Sequence, residues 1–482
     1  MKRLLAAIAV ALALVAGACG ASGEGDEPTE PSEDTTPDDA PATAAFGDLD
    51  ELCGEGDYTV AADEAGKGTD ALYIAVANDR GADIRPGLNK VLFDASTAFA
   101  EWCNEQGGVG GLRIELVDMD AKVFEVENAM ATACRDAFAM VGGGLAQDAL
   151  LFSGKPESDF HQCGMIDVPG FSASPEKAGS NGQVQPVPNP GTATSMTWFE
   201  DFFELRPDND SWFLLWTDLP SLTTIRDWYI EAISQLGDVE DRGNASHPAA
   251  GVTDWTPYAL QVIESGADTL GYVGEPENLA GIITALRDQG WEGDLLLETN
   301  MYDEKLLGAG AAAEGAVVRL AFHPIEEADR WPAVQQYLDL NRKYVPDGEV
   351  GALGMQSTSA WLLFVTAANA CAERDDGELT RTCILEEAAA VDEWTGGGLH
   401  APQDPEGAAK LQVSGCMMLV HVVDGGFERL FPALDGEDDD GDGFHCGDSI
   451  AEVPASEAQV MLDPDRPICA RLRPPCARRC FA

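Results

Sequence analysis

From Leu72 onward the chain repeats one pattern: a short apolar run, a Gly-rich or polar loop, then a longer segment with helical spacing. That alternation restricts the fold to layered α/β architectures built on parallel strands. Leu72–Ala77 ends at Asn78-Asp79-Arg80-Gly81 and reads as a strand entering a loop. Pro86 to Gln106 carries Leu88, Val91, Leu92, Ala95, Phe99 and Trp102 on one side, and Gly107–Gly111 stops it. A strand over Leu112–Val117, a helix over Val123–Ala133 and a strand over Ala137–Val141 follow. A helix over Gln147–Phe160 and a strand over Met165–Val168 complete βαβαβαβ, the order of a doubly wound sheet.

The pattern restarts at Trp212–Trp216, with a helix around Leu222–Leu236. Further strands are predicted at Thr269–Val273, Leu295–Leu297 and Ala316–Ala321, and the longest helix over Met355–Ala372. Cys416–Val423 and Phe427–Phe431, joined by Asp424-Gly425-Gly426, read as a β-hairpin. At 482 residues the chain exceeds what one core usually serves, so two lobes are expected.

The balance of 84 acidic against 29 basic residues, a net charge of −55, argues against nucleic acid or anionic lipid as a partner. The six histidines are scattered, with no HExxH and no GxSxG elbow, so no enzyme activity is expected. Asp438, Asp440, Asp442 and Gly443 fit the start of a DxDxDG calcium loop, with the Phe444 carbonyl as a fourth ligand. Ser449 stands where such a loop needs a bidentate Glu, and the other reading is an acidic loop over 433–454 closed by Cys416 and Cys446. Calcium apart, no cofactor is expected.

At the N-terminus Lys2 and Arg3 precede the apolar run Leu4–Val15 and the small residues Ala16, Gly17 and Ala18, the layout of an export signal. Cys19 at the exit resembles the lipidated cysteine of a bacterial lipobox; an ordinary signal peptide beside a free cysteine is the other reading. Residues 1–19 would then be the signal and 20–50 a disordered acidic linker, with the membrane touched through the lipid alone.

Asn104-Glu105-Gln106-Gly107-Gly108-Val109-Gly110-Gly111, followed by Ile114-Glu115-Leu116, resembles a stretch of the type I solute-binding proteins, the branched-chain amino acid receptors above all. Asp254-Trp255-Thr256-Pro257-Tyr258, Gly266-Ala267-Asp268, Ala280–Arg287 and Gly290 extend the likeness, which covers roughly residues 70–432. The resemblance implies two doubly wound parallel-sheet lobes joined by a three-strand hinge, with crossings near 190–198, 321–325 and 373–380. Lobe 1 would comprise 70–195 plus 322–376, and lobe 2 196–321 plus 377–432, before an atypical tail at 455–482. It also implies a receptor that holds a small ligand between the lobes and delivers it to ABC permease and ATPase subunits. A ligand-sensing module of a signalling system is the alternative on the same fold.

Ligands of open α/β sheets bind beyond the carboxyl ends of the strands, which selects the candidate residues. After the first strand stand Asn78, Asp79 and Arg80, able to hold a zwitterion or to form a loop ion pair. Leu145, Ala146 and Gln147 follow Gly142–Gly144. By resemblance, Ser172, Ala173 and Ser174 present an amide and hydroxyls to a ligand carboxylate; the other reading is a helix cap before Pro175. Thr217, Asp218 and Ser221 come from the second lobe. By the same resemblance, Glu275 or Glu277 would hold an ammonium group, with Asn300 and Tyr302 completing the set. The Asn-Asp-Arg-Gly-Ala-Asp loop differs from that of amino acid receptors, so an amide, a polyol, an aromatic acid or a peptide is also compatible.

Twelve cysteines in an exported chain point to disulfides. Cys134 and Cys163 end helices on one face of the sheet and can pair. Cys103 lies on the opposite face, which leaves Cys53 as its partner; Cys371 and Cys383 bracket a short turn. Cys469, Cys476 and Cys480 crowd the tail.

Overall fold

The computed structural model describes residues 44–155, 157–407 and 412–453. The signal segment with Cys19, the linker up to residue 43 and the tail with Cys469, Cys476 and Cys480 lie outside them.

Four parallel strands form the first sheet, in the spatial order Ile114–Asp120, Leu72–Asn78, Ala139–Val141, Asp167–Val168. The second sheet carries five parallel strands, in the order Glu240–Pro248, Ser211–Asp218, Thr269–Val273, Asp294–Leu297, Val317–Leu320. Cys416–Val423 then joins antiparallel and pairs with Gly426–Phe431 as a hairpin. In both sheets strand order reverses beside the lobe's first strand, which opens a crevice at the carboxyl edge. The two lobes are thus built alike.

Local chemistry fixes the elements. The helix Lys90–Glu105 buries Val91, Leu92, Ala95, Phe99, Trp102 and Cys103 at helical spacing. It stops at Gly107 and Gly108, whose φ values of 112° and 86° suit glycine. Asn104 then binds the next strand twice: its amide donates to the Ile114 carbonyl at 2.9 Å and accepts from the Ile114 N–H at 2.7 Å. The Asn-Gly-Gly turn is therefore a helix-to-strand clasp. In the second lobe Trp198, Phe199, Trp212, Trp228 and Tyr229 pack ring on ring at 3.8–6.2 Å. Such aromatic pairs contribute about 0.5–1.5 kcal/mol each beyond area burial.

The helix Ala352–Arg374 is buried on nearly all sides because it packs against the helix Lys90–Glu105 and the first sheet. Among the described residues no helix is long and apolar enough to cross a membrane. Disulfides join Cys53 to Cys103, Cys134 to Cys163, Cys371 to Cys383 and Cys416 to Cys446. Closing loops of 12 to 50 residues, they stabilise by about 2–4 kcal/mol each.

Three expectations need correction. The helix over Gln147–Phe160 reduces to Asp159–Gln162, because Asp148 turns inward to bind backbone amides and Ser153 caps its carbonyl at 2.8 Å. The third crossing does not fall at 373–380, nor does the second lobe resume at 377. Glu378–Leu379 pairs with Thr59–Val60 and the helix Arg381–Ala389 packs on Ala352–Arg374, so the chain stays with the first lobe. It remains there through Gln403, bonded to Trp394, and crosses before Cys416. The third correction is an addition: the polar strand Glu240–Pro248 forms one edge of the second sheet.

Candidate functional site

A cavity of about 240 Å³ lies between the lobes at the carboxyl ends of both sheets. Its walls come from the loops that the doubly wound topology collects there, together with Thr194, Ser195 and Ala321 of the first two crossings. One wall is an apolar stripe: Leu222, Ile225 and Trp228 recur at three-residue spacing along the start of the helix Thr223–Leu236. Trp228 is 4% exposed and stacks on Tyr229 at 4.5 Å. Phe171, Val187 and Leu353 face the same space from the first lobe.

Apart from Asp303, the charged side chains in the walls are ion-paired, and two of the pairs span the lobes. Arg85 follows the first strand of lobe 1, and its Nη1 lies 2.7 Å from Glu275 Oε2 of lobe 2. Its Nε donates to Glu277 at 3.1 Å. Lys305 of lobe 2 reaches Glu349 at 3.2 Å, and the Glu349 N–H is anchored on Asp94 of the first-lobe helix at 2.9 Å. Ser221 adds a neutral link, donating to the Ala146 carbonyl at 2.5 Å. On the lobe 2 floor Arg319 lies 2.5 Å from Glu298, which also accepts the Tyr229 hydroxyl at 3.0 Å. Burial pushes the Glu275 carboxyl up against the pull of Arg85, and it pushes Asp303 up as well.

Of the residues singled out in sequence, Ala146, Ser172, Ala173, Glu275 and Asn300 line the cavity. Asn300 is fixed by donation to the Gly274 carbonyl at 2.8 Å. The Ser172-Ala173-Ser174 loop is in place, yet two of its amides are taken. Asp148 accepts the N–H groups of Ala173 and Ser174 at 2.7 and 2.9 Å. Ser174 itself caps the helix Pro175–Ala178 through the Lys177 N–H at 3.2 Å. The Ala146 N–H is likewise held, by Asp79 at 2.7 Å.

The remaining candidates are not in the cavity wall. Asp79 is buried and staples three loops, accepting from Val123, Ala146 and Asn89. Asn78 ties to Val76 and Asp118, and Arg80 forks onto Asp118 at 2.7 and 2.6 Å over the Phe93 ring. Leu145 is core, and Gln147 donates to the Val123 carbonyl at 3.3 Å. Thr217 lies beside His247 at 3.4 Å, and Asp218 is exposed at a strand end. Ser221 and Glu277 join the lobes rather than line the cavity, and Tyr302 bonds Glu326 and the Ile325 N–H.

Arg85, Trp228, Glu298 and Arg319 escaped the sequence reading. Glu298 stands directly after the strand Asp294–Leu297, a position that strand-end logic covers. Arg85 sits five residues beyond the loop motif chosen after the first strand. Among the described residues the one group of three that brings ligand atoms all within 4.8 Å of one another is Cys371, Asp375 and Cys383, whose two sulfurs share a disulfide; Asp438, Asp440 and Asp442 form no such group. Asp439 is the inward carboxylate, accepting the N–H groups of Asp435, Gly441 and Gly443.

Residues 72–426 match the periplasmic binding protein family. The chain belongs to that family. Its members are solute receptors that work outside the cytoplasm. The fold is that of a fatty acid ABC transporter substrate-binding protein from Thermomonospora curvata, at 17% identity and a TM-score of 0.62 over 80% of this chain and 95% of that one. A leucine-binding protein from Thermotoga maritima gives 17% identity and 0.58 over 75% and 98%. A branched-chain amino acid transporter substrate-binding protein from Streptococcus pneumoniae, bound to isoleucine, gives 14% and 0.59 over 75% and 100%. No curated protein matches the chain.

Proposed function

We propose that this periplasmic binding protein is a lipid-anchored receptor that encloses one small metabolite between its lobes and passes it to an ABC permease driven by an ATPase. The observation that carries the reading is the cavity itself: both sheets direct their carboxyl-end loops into it, and ion pairs join the walls across it. Its apolar stripe suits a hydrocarbon body, and its volume suits a solute smaller than the drug-sized ligands of ordinary pockets. Closure around such a solute creates the surface that a permease would read.

A thermal-shift screen of the mature protein against amino acids, amides, sugars and organic acids tests this. A solute at a hundredfold its Kd should raise stability by about 2.7 kcal/mol, and small-angle scattering should record compaction with the same solute. No response from any class would remove the reading. Anchoring is tested separately: labelled fatty acid should enter the wild-type chain in cells and be lost in Cys19→Ala. Equal labelling of both would refute the anchor.

A further inference from the structure

Resting on the reading of this cavity as the ligand site, we propose that it selects an uncharged solute: an apolar body ending in a neutral head group such as a carboxamide. Three cations line the walls, and each is compensated: Arg85 by Glu275 and Glu277, Lys305 by Glu349, Arg319 by Glu298. Asp303 adds a fourth lining carboxylate, so an anionic head would enter a site with acid in excess. The chain's net charge of −55 adds to that repulsion.

Three loop amides are closed to an anion as well. The adjacent amides of Ala173 and Ser174 hold the chain's own Asp148, and the Ala146 amide holds Asp79. These loops have filled their anion positions from within. Apart from Nε of Arg319, whose guanidinium is paired with Glu298, what stays unpartnered in the lining residues is neutral and mostly donor in kind. Ser172 Oγ, Gln185 Nε2 and Trp228 Nε1 are buried without a hydrogen-bond partner, and so is one acceptor, Gln356 Oε1. Their residues Ser172, Gln185 and Trp228 are 1%, 2% and 4% exposed. Buried polar groups are rarely left unsatisfied, so these atoms call for a partner, which water or a ligand in the cavity can supply. A carboxamide oxygen accepts from such donors, and its NH2 donates to an acceptor of the Gln356 kind.

The test uses four compounds on one carbon skeleton: 4-methylpentanamide, 4-methylpentanoate, 4-methylpentylamine and leucine, each titrated calorimetrically into the mature protein. The amide should bind at least about tenfold tighter than the others, a difference of one decade in Kd. A charged member binding as tightly overturns the inference and leaves two-lobe capture standing. Silence from all four while a charged solute of the wider screen binds has the same meaning, whereas a neutral solute binding there supports the inference. Silence from every solute sinks both. Glu298→Gln leaves Arg319 uncompensated and should move the acid-to-amide affinity ratio about tenfold toward the acid. Adding Arg319→Gln should restore the original order. An unmoved ratio in a folded Glu298→Gln protein would show that charge compensation does not set the choice.

Discussion

Asp148 places an ionisable carboxyl where packing leaves it no water, and burial pushes it up from 3.8 to about 6 against the pull of the Ala173 and Ser174 amides. Between those two values the folded protein holds a proton that the unfolded chain has released. Its contribution to stability is therefore complete below pH 4 and is lost as pH rises through 6, about 3 kcal/mol in all. His400 works the other way. Its Nε2 faces Ser359 and its Nδ1 the Ala401 carbonyl at 2.8 Å each, and burial lowers it to about 4. Its contribution is complete above pH 6.5 and is lost as pH falls toward 4. Only a difference between proteins isolates Asp148. Wild type minus Asp148→Asn, measured by urea unfolding, should be larger at pH 4 than at pH 7.5 by roughly 3 kcal/mol. A difference constant with pH would show that the carboxyl is not held in the way its surroundings imply.

The elements that place the cavity were readable in sequence where patterning is two-valued. Leu72–Asn78, Thr269–Val273 and the hairpin at Cys416–Phe431 are apolar runs bounded by turn residues, and they sit where such runs predict. Glu240–Pro248 was invisible because an edge strand needs no continuous apolar run, and this one is mostly exposed. The segment after Gly142 misled for the opposite reason: its helical spacing is genuine, but Asp148 recruits the backbone elsewhere. Cross-lobe partners were the least legible, since 84 acids leave no way to tell which one an arginine will meet. Arg85 met Glu275 and Glu277. Its side chain is 15% exposed and that of Glu275 29%, so the latch is worth less than a buried pair, about 1–2 kcal/mol. Arg85→Ala should open the lobes: the radius of gyration without ligand rises, and apparent Kd for a captured solute weakens roughly tenfold. Scattering curves and affinities unchanged from wild type would deny the latch its role.

At the scale of the molecule, two electrostatic effects of opposite salt dependence meet. A net charge of −55 means that acids repel one another across the surface, which favours expanded states of the chain. Closure, by contrast, draws on the attractive pairs Arg85–Glu275 and Lys305–Glu349 between the lobes. Raising salt from 0.1 to 1 M shortens the screening length from about 10 Å to about 3 Å. Repulsion between distant carboxylates is then nearly abolished, while the partly buried pairs at contact lose only part of their attraction. The fold should therefore gain stability with salt even as the closed form loses some of its advantage. Melting temperature would rise by several degrees between those salt concentrations, and the ligand-free radius of gyration would grow rather than shrink. In Arg85→Ala the melting trend should persist, because the acidic surface is intact, and the growth in radius should largely vanish. A melting temperature that falls with salt would mean that contact pairs, and not the sum of the acids, govern the stability of the whole.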